Sequence, residues 1–224
     1  METIDQRSVL LGYDFNPEAL ILGGGDFPTH PIPLSFLQKR IPLICCDGAA
    51  NQCHTLGIHP WRVVGDGDSL SAESRISFRD IIRTFPDQET NDQTKAVTYL
   101  KTKGITQIVV LAATGRREDH TLGNISLLGE YLKQGLDVRM YTDYGVFIPC
   151  RDTTSFACPV GTAVSVFNFD AHHMTSEGLA YSLYDLTSWW QGTLNHSVSP
   201  TFRIVCEGDY LVYLSYENKK LRSY

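Results

Sequence analysis

The sequence predicts two domains. Residues 1–145 read as an α/β domain with a mostly parallel, Rossmann-like sheet. Residues 146–224 read as an all-β antiparallel sandwich or barrel. Three observations predict this. Short apolar runs alternate with helical stretches up to about residue 145, the pattern of a parallel sheet. Residues 107–113 form an unbroken apolar run after Gln107, as a strand covered on both faces does. Beyond residue 145 no helical period appears, and short alternating segments are separated by turns.

In chain order, Ala19–Leu22 is a short strand that runs into Gly23-Gly24-Gly25-Asp26. Such a loop suits a phosphate contact or a plain tight turn, and neither glycine-rich nucleotide fingerprint is present. Residues 33–40 predict a short helix, and residues 41–46 a second buried strand that ends at Asp47. Ala49–Leu56 continues as a helix stopped by Gly57. Residues 62–64 supply a third strand, after which Gly65 and Gly67 let the backbone turn. Residues 71–83 read as one helix, broken by Pro86. Thr90 or Asn91 caps the next helix, whose apolar side is Ala96, Val97 and Leu100. After the 107–113 strand, Asp119 is expected to cap a helix that runs to Gly135. Residues 138–141 are the fifth strand. In the second domain, 162–169 alternates, with Val164 and Val166 opposite Phe167 and Phe169. Residues 202–206 and 210–216 flank Glu207-Gly208-Asp209, which predicts a hairpin.

Composition narrows the function. The chain has 224 residues, 42% hydrophobic and 20% charged, as ordinary soluble proteins do. Its net charge of −6 argues against a general nucleic-acid or membrane-surface binder. The six cysteines form no C-x-x-C pair, and Cys45 and Cys46 sit in an apolar run, so buried thiols and a reducing cytoplasm are expected. The first residues lack the pattern of a signal peptide, and no run has the length of a membrane span.

The chemistry centres on residues 63–70. Asp66 and Asp68 stand two positions apart. In extended chain they point the same way from origins about 6.6 Å apart, so both can reach one hard cation. Two such carboxylates repel unless a cation or a shared proton relieves them. Oxygen ligands at a strand end suit Mg²⁺, which brings phosphorylated substrates with it. A solvated Asp-Gly turn is the plain alternative. Other residues tip the balance. A second strand delivers Asp47, and a helix start carries Asp92, although an acid there also complements the helix dipole. Thr114-Gly115-Arg116-Arg117 before a helix start forms an anion site of amides, dipole and guanidinium. All these lie beyond strand C-termini or at a helix start, where parallel sheets bind ligands. The residues alone thus reach metal-assisted phosphoryl chemistry on a nucleotide. His172-His173 reads as surface, and Trp189-Trp190 as either core or an aromatic pocket.

These motifs, in this order, resemble those of the thiamin pyrophosphokinase family. Asp47-Gly48-Ala49-Ala50-Asn51 resembles its D-G-A-A/G-N, and residues 65–69 its G-D-F-D-S. Residues 87–96 resemble D-Q-x-T-T-D-x-x-K-A, and residues 113–124 the A-T-G-G-R-x-D-H-x-L-x-N block. Gly178-Leu179, Gly192-Thr193 and Asn195 resemble the G-L and G-T-S-N of the family's β domain. The resemblance spans nearly the whole chain. It implies ATP-dependent transfer of an intact pyrophosphoryl group to the hydroxyl of thiamin, giving thiamin diphosphate and AMP. It also implies Mg²⁺ and a homodimer, with thiamin bound where one subunit's α/β domain meets the other's β domain. Carried over by position, it makes Asp47, Asp66, Asp68 and Asp92 the catalytic, metal-holding acids. Gln88, Asn91, Lys95, Thr114, Gly115, Arg117, Asp119, His120 and Asn124 would bind ATP, and Thr193 and Asn195 thiamin.

Four positions depart from the family pattern: Gly67 for Phe, Asn91 for Thr, Arg116 for Gly and Leu194 for Ser. Two other functions use the same residues. One is a metal-dependent nucleotide phosphohydrolase with water as nucleophile. The other is a thiamin- or nucleotide-binding module without turnover, which the four departures favour and the four acids oppose.

Overall fold

The computed structural model describes residues 8–9, 15–85 and 89–218. The chain divides into two units. One is Asn16–Asp143, and the other joins Met1–Phe15 to Tyr144–Tyr224. The division falls between Asp143 and Tyr144. The start of the chain belongs with the second unit because strand β1 (Ser8–Val9) pairs in parallel with β9 (Thr154–Ala157).

The first unit is a parallel sheet with five helices. Its strands are β2 (Ala19–Leu22), β3 (Leu43–Cys46), β4 (Arg62–Gly65), β5 (Ile82–Thr84), β6 (Gln107–Leu111) and β7 (Asp137–Tyr141). They lie in the order β7-β6-β2-β3-β4-β5, with every neighbouring pair parallel. Ile21 of β2 pairs with Ile44 on one side and Val110 on the other, and all three are fully buried. Chain order reverses between β2 and β6, which makes the C-terminal edge of these strands a natural crevice. The helices are α1 (Pro31–Leu37), α2 (Ala49–Leu56), α3 (Ala72–Phe78), α4 (Asp92–Lys101) and α5 (Glu118–Lys133).

Local chemistry explains where the helices start and stop. Proline occupies the first turn of α1, where a missing N–H costs nothing. Gly57 ends α2 at φ +66, in the left-handed region. Ser71 caps α3 by accepting the Ser74 N–H, and Asn91 caps α4 by accepting the Thr94 N–H. Two expectations are corrected. Residues 71–83 are not one helix, because α3 stops at Phe78 and Ile82–Thr84 forms a sixth strand beside β4. This edge strand is three residues long and only partly buried, too little to show a period. Helix α5 begins at Glu118 with Arg117 as its cap residue, so Asp119 is not the cap.

The second unit holds two sheets. In one, β12 (Asn195–His196), β10 (Thr162–Asn168), β14 (Asp209–Asn218) and β8 (Gly145–Arg151) lie side by side and antiparallel. In the other, β9 lies between β1 and β13 (Thr201–Glu207), and β11 (His172–Glu177) flanks β13. Val164, Val166, Tyr210, Val212 and Leu214 are buried, and the Phe156 and Phe202 rings stack at 4.7 Å. The expected hairpin at Gly208 is instead a corner. β13 pairs with β9 and β11, whereas β14 pairs with β10 and β8. Gly208 turns it at φ +106, where a Cβ would stand 2.9 Å from the Asp170 carbonyl oxygen. A glycine turn between two strands reads the same in either case. No helix among the described residues is long and apolar enough to cross a membrane.

Candidate active site

Strands β3 and β4 bring the acids together. Asp47 follows β3 directly, and its N–H donates to the Val64 carbonyl of β4 at 2.9 Å. Its side chain is buried, at 3% exposure. One oxygen, Oδ2, accepts the Ser69 N–H at 2.9 Å, while Oδ1 is buried with no partner. Gly65 makes room for this. A Cβ there would lie 2.6 Å from Asp47 Cβ and 3.3 Å from Asp92 Oδ2, so only glycine lets both acids gather over the end of β4. Burial, then the charges of Asp92 and Asp66, raise the Asp47 pKa above the usual carboxylate value, against the pull of the Ser69 N–H. Burial and the nearby carboxylates Asp92 and Asp47 likewise hold the Cys46 thiol protonated.

The loop after β4 is a turn, not a continuation of the strand. The two acids therefore do not project from extended chain as the spacing suggested. Asp66 Oδ1 accepts the Asp68 N–H at 3.0 Å, and Gly67 adopts φ +87. That N–H lowers the Asp66 pKa. Asp66 and Asp68 are both exposed. Two residues that sequence reasoning passed over brace this loop. Asn51 Nδ2 donates to the Ser69 carbonyl at 2.8 Å, and its Oδ1 accepts the Ser71 N–H at 2.9 Å. Arg75 Nη2 donates to the Gly67 carbonyl at 2.5 Å. The first lies inside the Asp47–Asn51 motif, so its importance had a signal, whereas an arginine inside a short helix carried none.

Asp92 opens α4 and pairs with the nearly buried Lys95 at 3.3 Å. Among the described residues, no three or more His, Cys, Asp or Glu side chains are gathered so as to hold a metal ion. The structure thus brings Asp47, Asp66 and Asp92 to one edge, and Asp68 with them on the same turn, without a closed protein cage.

The loop after β6 rests on the glycine-rich loop after β2. Gly25 N–H donates to the Ala112 carbonyl at 2.7 Å and Asp26 N–H to the Thr114 carbonyl at 2.9 Å. Gly115 lies at φ +81, where a Cβ would stand 2.2 Å from Asp26 Oδ2. Arg116 stands at φ +59, and its side chain turns back to the Gly24 carbonyl at 2.9 Å and toward Asp26 at 3.8 Å. Arg117 instead pairs with Asp119 through two hydrogen bonds, at 2.6 and 3.1 Å, which hold the Asp119 pKa at about 2. Arg117, the cap residue of α5, makes no side-chain cap bond, whereas the Asp119 carboxylate accepts the His120 N–H, and His120 is exposed in the first turn. Asn124 Nδ2 donates to the Ala113 carbonyl at 2.8 Å, and its Oδ1 accepts from Asn91 Nδ2 at 2.9 Å. Asn91, Lys95, Thr114, Gly115, Arg117, Asp119, His120 and Asn124 thus border the same strand ends. Gln88 lies outside the described residues.

In the second unit, Asn195 is 4% exposed and its amide is spent internally. Oδ1 accepts the N–H groups of Tyr181 and His196, and Nδ2 donates to the Tyr181 carbonyl at 2.7 Å. Thr193 Oγ1 donates to the Trp190 carbonyl at 2.7 Å. Trp189 donates its indole N–H to the Asn168 carbonyl and packs edge-on against Phe167. Trp190, Leu194 and Tyr181 are exposed, and Leu194 stands at φ +69.

Two family models match the sequence. Residues 34–140 match thiamin pyrophosphokinase, catalytic domain, and residues 145–213 match thiamin pyrophosphokinase, substrate-binding domain. Among curated proteins, none matches the sequence. Among solved structures, the fold is similar to thiamine pyrophosphokinase from Bacillus subtilis, with a TM-score of 0.73 and 20% identity over 89% of this chain and 99% of that one. It is similar to thiamin pyrophosphokinase from Candida albicans, with a TM-score of 0.74 and 17% identity over 89% and 90%. The yeast enzyme matches with a TM-score of 0.71 and 18% identity over 89% and 86%.

Proposed function

Because the chain belongs to the thiamin pyrophosphokinase family, we propose that it transfers the pyrophosphoryl group of ATP to the hydroxyl of thiamin. The products are thiamin diphosphate, AMP and a proton. One observation carries the chemistry: the buried, unpartnered Asp47 Oδ1 beside Asp92 and Asp66. A buried acceptor without a donor is costly unless something fills the place. The donor set is oxygen only, which suits Mg²⁺. Mg²⁺ usually takes one or two carboxylates and completes its shell with water and phosphate oxygens, so an open protein site fits it. Asp47, Asp66, Asp68 and Asp92 would hold the ion, which when bound neutralises charge on the phosphates.

The chain's own residues do the rest. The amides at the start of α5 that the Arg117 side chain leaves uncapped, and the positive end of the helix dipole, attract the phosphates. Arg117 exchanges Asp119 for a phosphate oxygen, since its guanidinium is already held at the helix start. Asn91 and Asn124 hold the starts of α4 and α5 in register, with Gln88, Lys95, Thr114, Gly115, Asp119 and His120 around the nucleotide. The strand order, which reverses beside β2, supports a Rossmann-like reading of this unit. Residues 16–143 serve as the ATP- and metal-binding catalytic domain, and the β unit supplies thiamin contacts through Thr193 and the backbone that Asn195 braces. A homodimer in the cytoplasm is the assembly that goes with this reading.

A product assay tests it. Purified protein with ATP, Mg²⁺ and thiamin is expected to release AMP and thiamin diphosphate in equal amounts. ADP, or AMP without thiamin diphosphate, would point to a phosphohydrolase. Thiamin binding without any turnover would leave a binding module.

A further inference from the structure

We propose that Arg75 is a positioning residue for the acidic loop, locking the turn between Asp66 and Asp68 before any cation arrives. The inference rests on the reading that these acids take a divalent cation. Asp47 and Asn51 hold the Ser69 end of the loop, and the Gly67 peptide lies beyond their reach. Gly67, between the two acids, has no side chain to anchor and stands at φ +87, so its unfolded alternatives are many. Its carbonyl accepts the Leu70 N–H at 3.3 Å, and the Arg75 guanidinium at 2.5 Å. Arg75 also covers the open face of Gly67. A Cβ there would lie 3.5 Å from Arg75 Nη1.

The helix that carries Arg75 is itself held. Ser71 caps α3, Asn51 accepts the Ser71 N–H, and Ser74 and Phe78 are buried beneath it. Arg75 therefore ties the Gly67 peptide to a capped helix through a charge-assisted hydrogen bond. It also brings a fixed positive charge to the peptide that joins two like charges. The buried, unpartnered Asp47 Oδ1 marks where this loop delivers its acids. Without Arg75 the cation would have to order the loop on binding, and affinity would fall accordingly.

Binding and loop motion test this without turnover. Mn²⁺ uptake by the full-length protein is followed by electron paramagnetic resonance in the presence of α,β-methylene ATP. Hydrogen exchange reports on the amides of residues 66–70. R75A is expected to bind Mn²⁺ about 10- to 100-fold more weakly, the usual effect of losing support behind a ligand. Its loop amides should exchange faster while its melting temperature stays near the wild-type value. R75K should recover part of the affinity, because it restores the charge without the planar fork. An R75A protein that binds Mn²⁺ as the wild type does, while D68N is weakened, would overturn the role of Arg75 and leave the cation reading standing. Weakened binding with unchanged loop exchange would also overturn it. If D66N and D68N bind Mn²⁺ as well as the wild type, or the wild type binds none, the cation reading fails and the inference with it.

Discussion

Asn91 donates its side-chain amide to Asn124 Oδ1 at 2.9 Å, and so joins the start of α4 to α5. The same Asn91 accepts the Thr94 N–H as the α4 cap, and the same Asn124 donates to the Ala113 carbonyl. Asn91→Ala should cost about 1 kcal/mol from the lost cap alone. Asn91→Ser keeps the cap and loses the bridge. Urea denaturation of both variants separates the two contributions, and only the bridge should show in the KM for ATP.

Asp66→Asn or Asp68→Asn should lower kcat by at least roughly 10²-fold, because each removes a charge that would hold the proposed cation. Steady-state rates at ordinary Mg²⁺ check this. Near-normal turnover in both variants would remove these acids from the site.

Asp47 makes a prediction of opposite sign for stability. Its folded pKa is raised, mainly by burial, with Asp92 and Asp66 adding to it. The fold therefore favours the protonated form. That contribution is fully present below the unfolded carboxylate value and is lost as pH rises through the raised folded value. Asp47→Asn should thus melt higher than the wild type at pH 7 while turnover collapses. The gain should shrink as pH falls toward 3.8, the unperturbed value. Thermal melts from pH 3.5 to 8 would show it, and an unchanged difference across that range would refute the assignment.

The two arginines after Gly115 should differ. Arg117→Ala is expected to raise the KM for ATP about tenfold and to slow transfer, since it removes the guanidinium at the α5 start. Arg116 stands at φ +59 and faces the Gly24 carbonyl and Asp26. Arg116→Gly relieves a conformation that costs other residues about 1–2 kcal/mol, which offsets the lost contacts. Activity and melting temperature should both stay near wild type. The reverse order of effects would place the phosphate contact on Arg116.

Asn195→Ala should raise the KM for thiamin and leave that for ATP nearly unchanged. It should also destabilise the protein by about 1–3 kcal/mol for each N–H left without a partner, at Tyr181 and His196. If the thiamin effect appears without any loss of stability, the amide touches the ligand rather than bracing the backbone.

Much of this was legible in the sequence, for physical reasons. The strands β2, β3, β4 and β6 are nearly continuous apolar runs buried along most of their length, and such runs stand out, whereas β7 alternates, with Asp137 and Arg139 between its buried residues. Asp47 follows from where β3 ends and Asp92 from where α4 begins. Gly65 and Gly67 were read as turn residues; Gly67 is one, but Gly65 closes β4, and the turn makes Asp66 accept the Asp68 N–H rather than project beside it. β5 escaped notice because Ile82–Thr84 buries too little to show a pattern. The corner at Gly208 was read as a hairpin because strand pairing is a long-range property, and the local turn does not carry it. The inward aim of the Asn195 amide depends on Tyr181, which the chain brings back from fourteen residues upstream.

The pairing of Ser8 with Ser155 and Val9 with Phe156 has a consequence for how the chain folds. The β unit takes chain from both sides of the parallel-sheet unit, which is inserted within it. A ribosome releases the whole of the inserted unit before β9 exists to receive β1. The inserted unit can therefore reach its own fold early, whereas the outer unit must close a very long loop. Pairings of that span are slow to form. A chain started after Val9 would be expected to refold its parallel-sheet unit at an unchanged rate. It would leave one edge of β9 open to strands from other molecules.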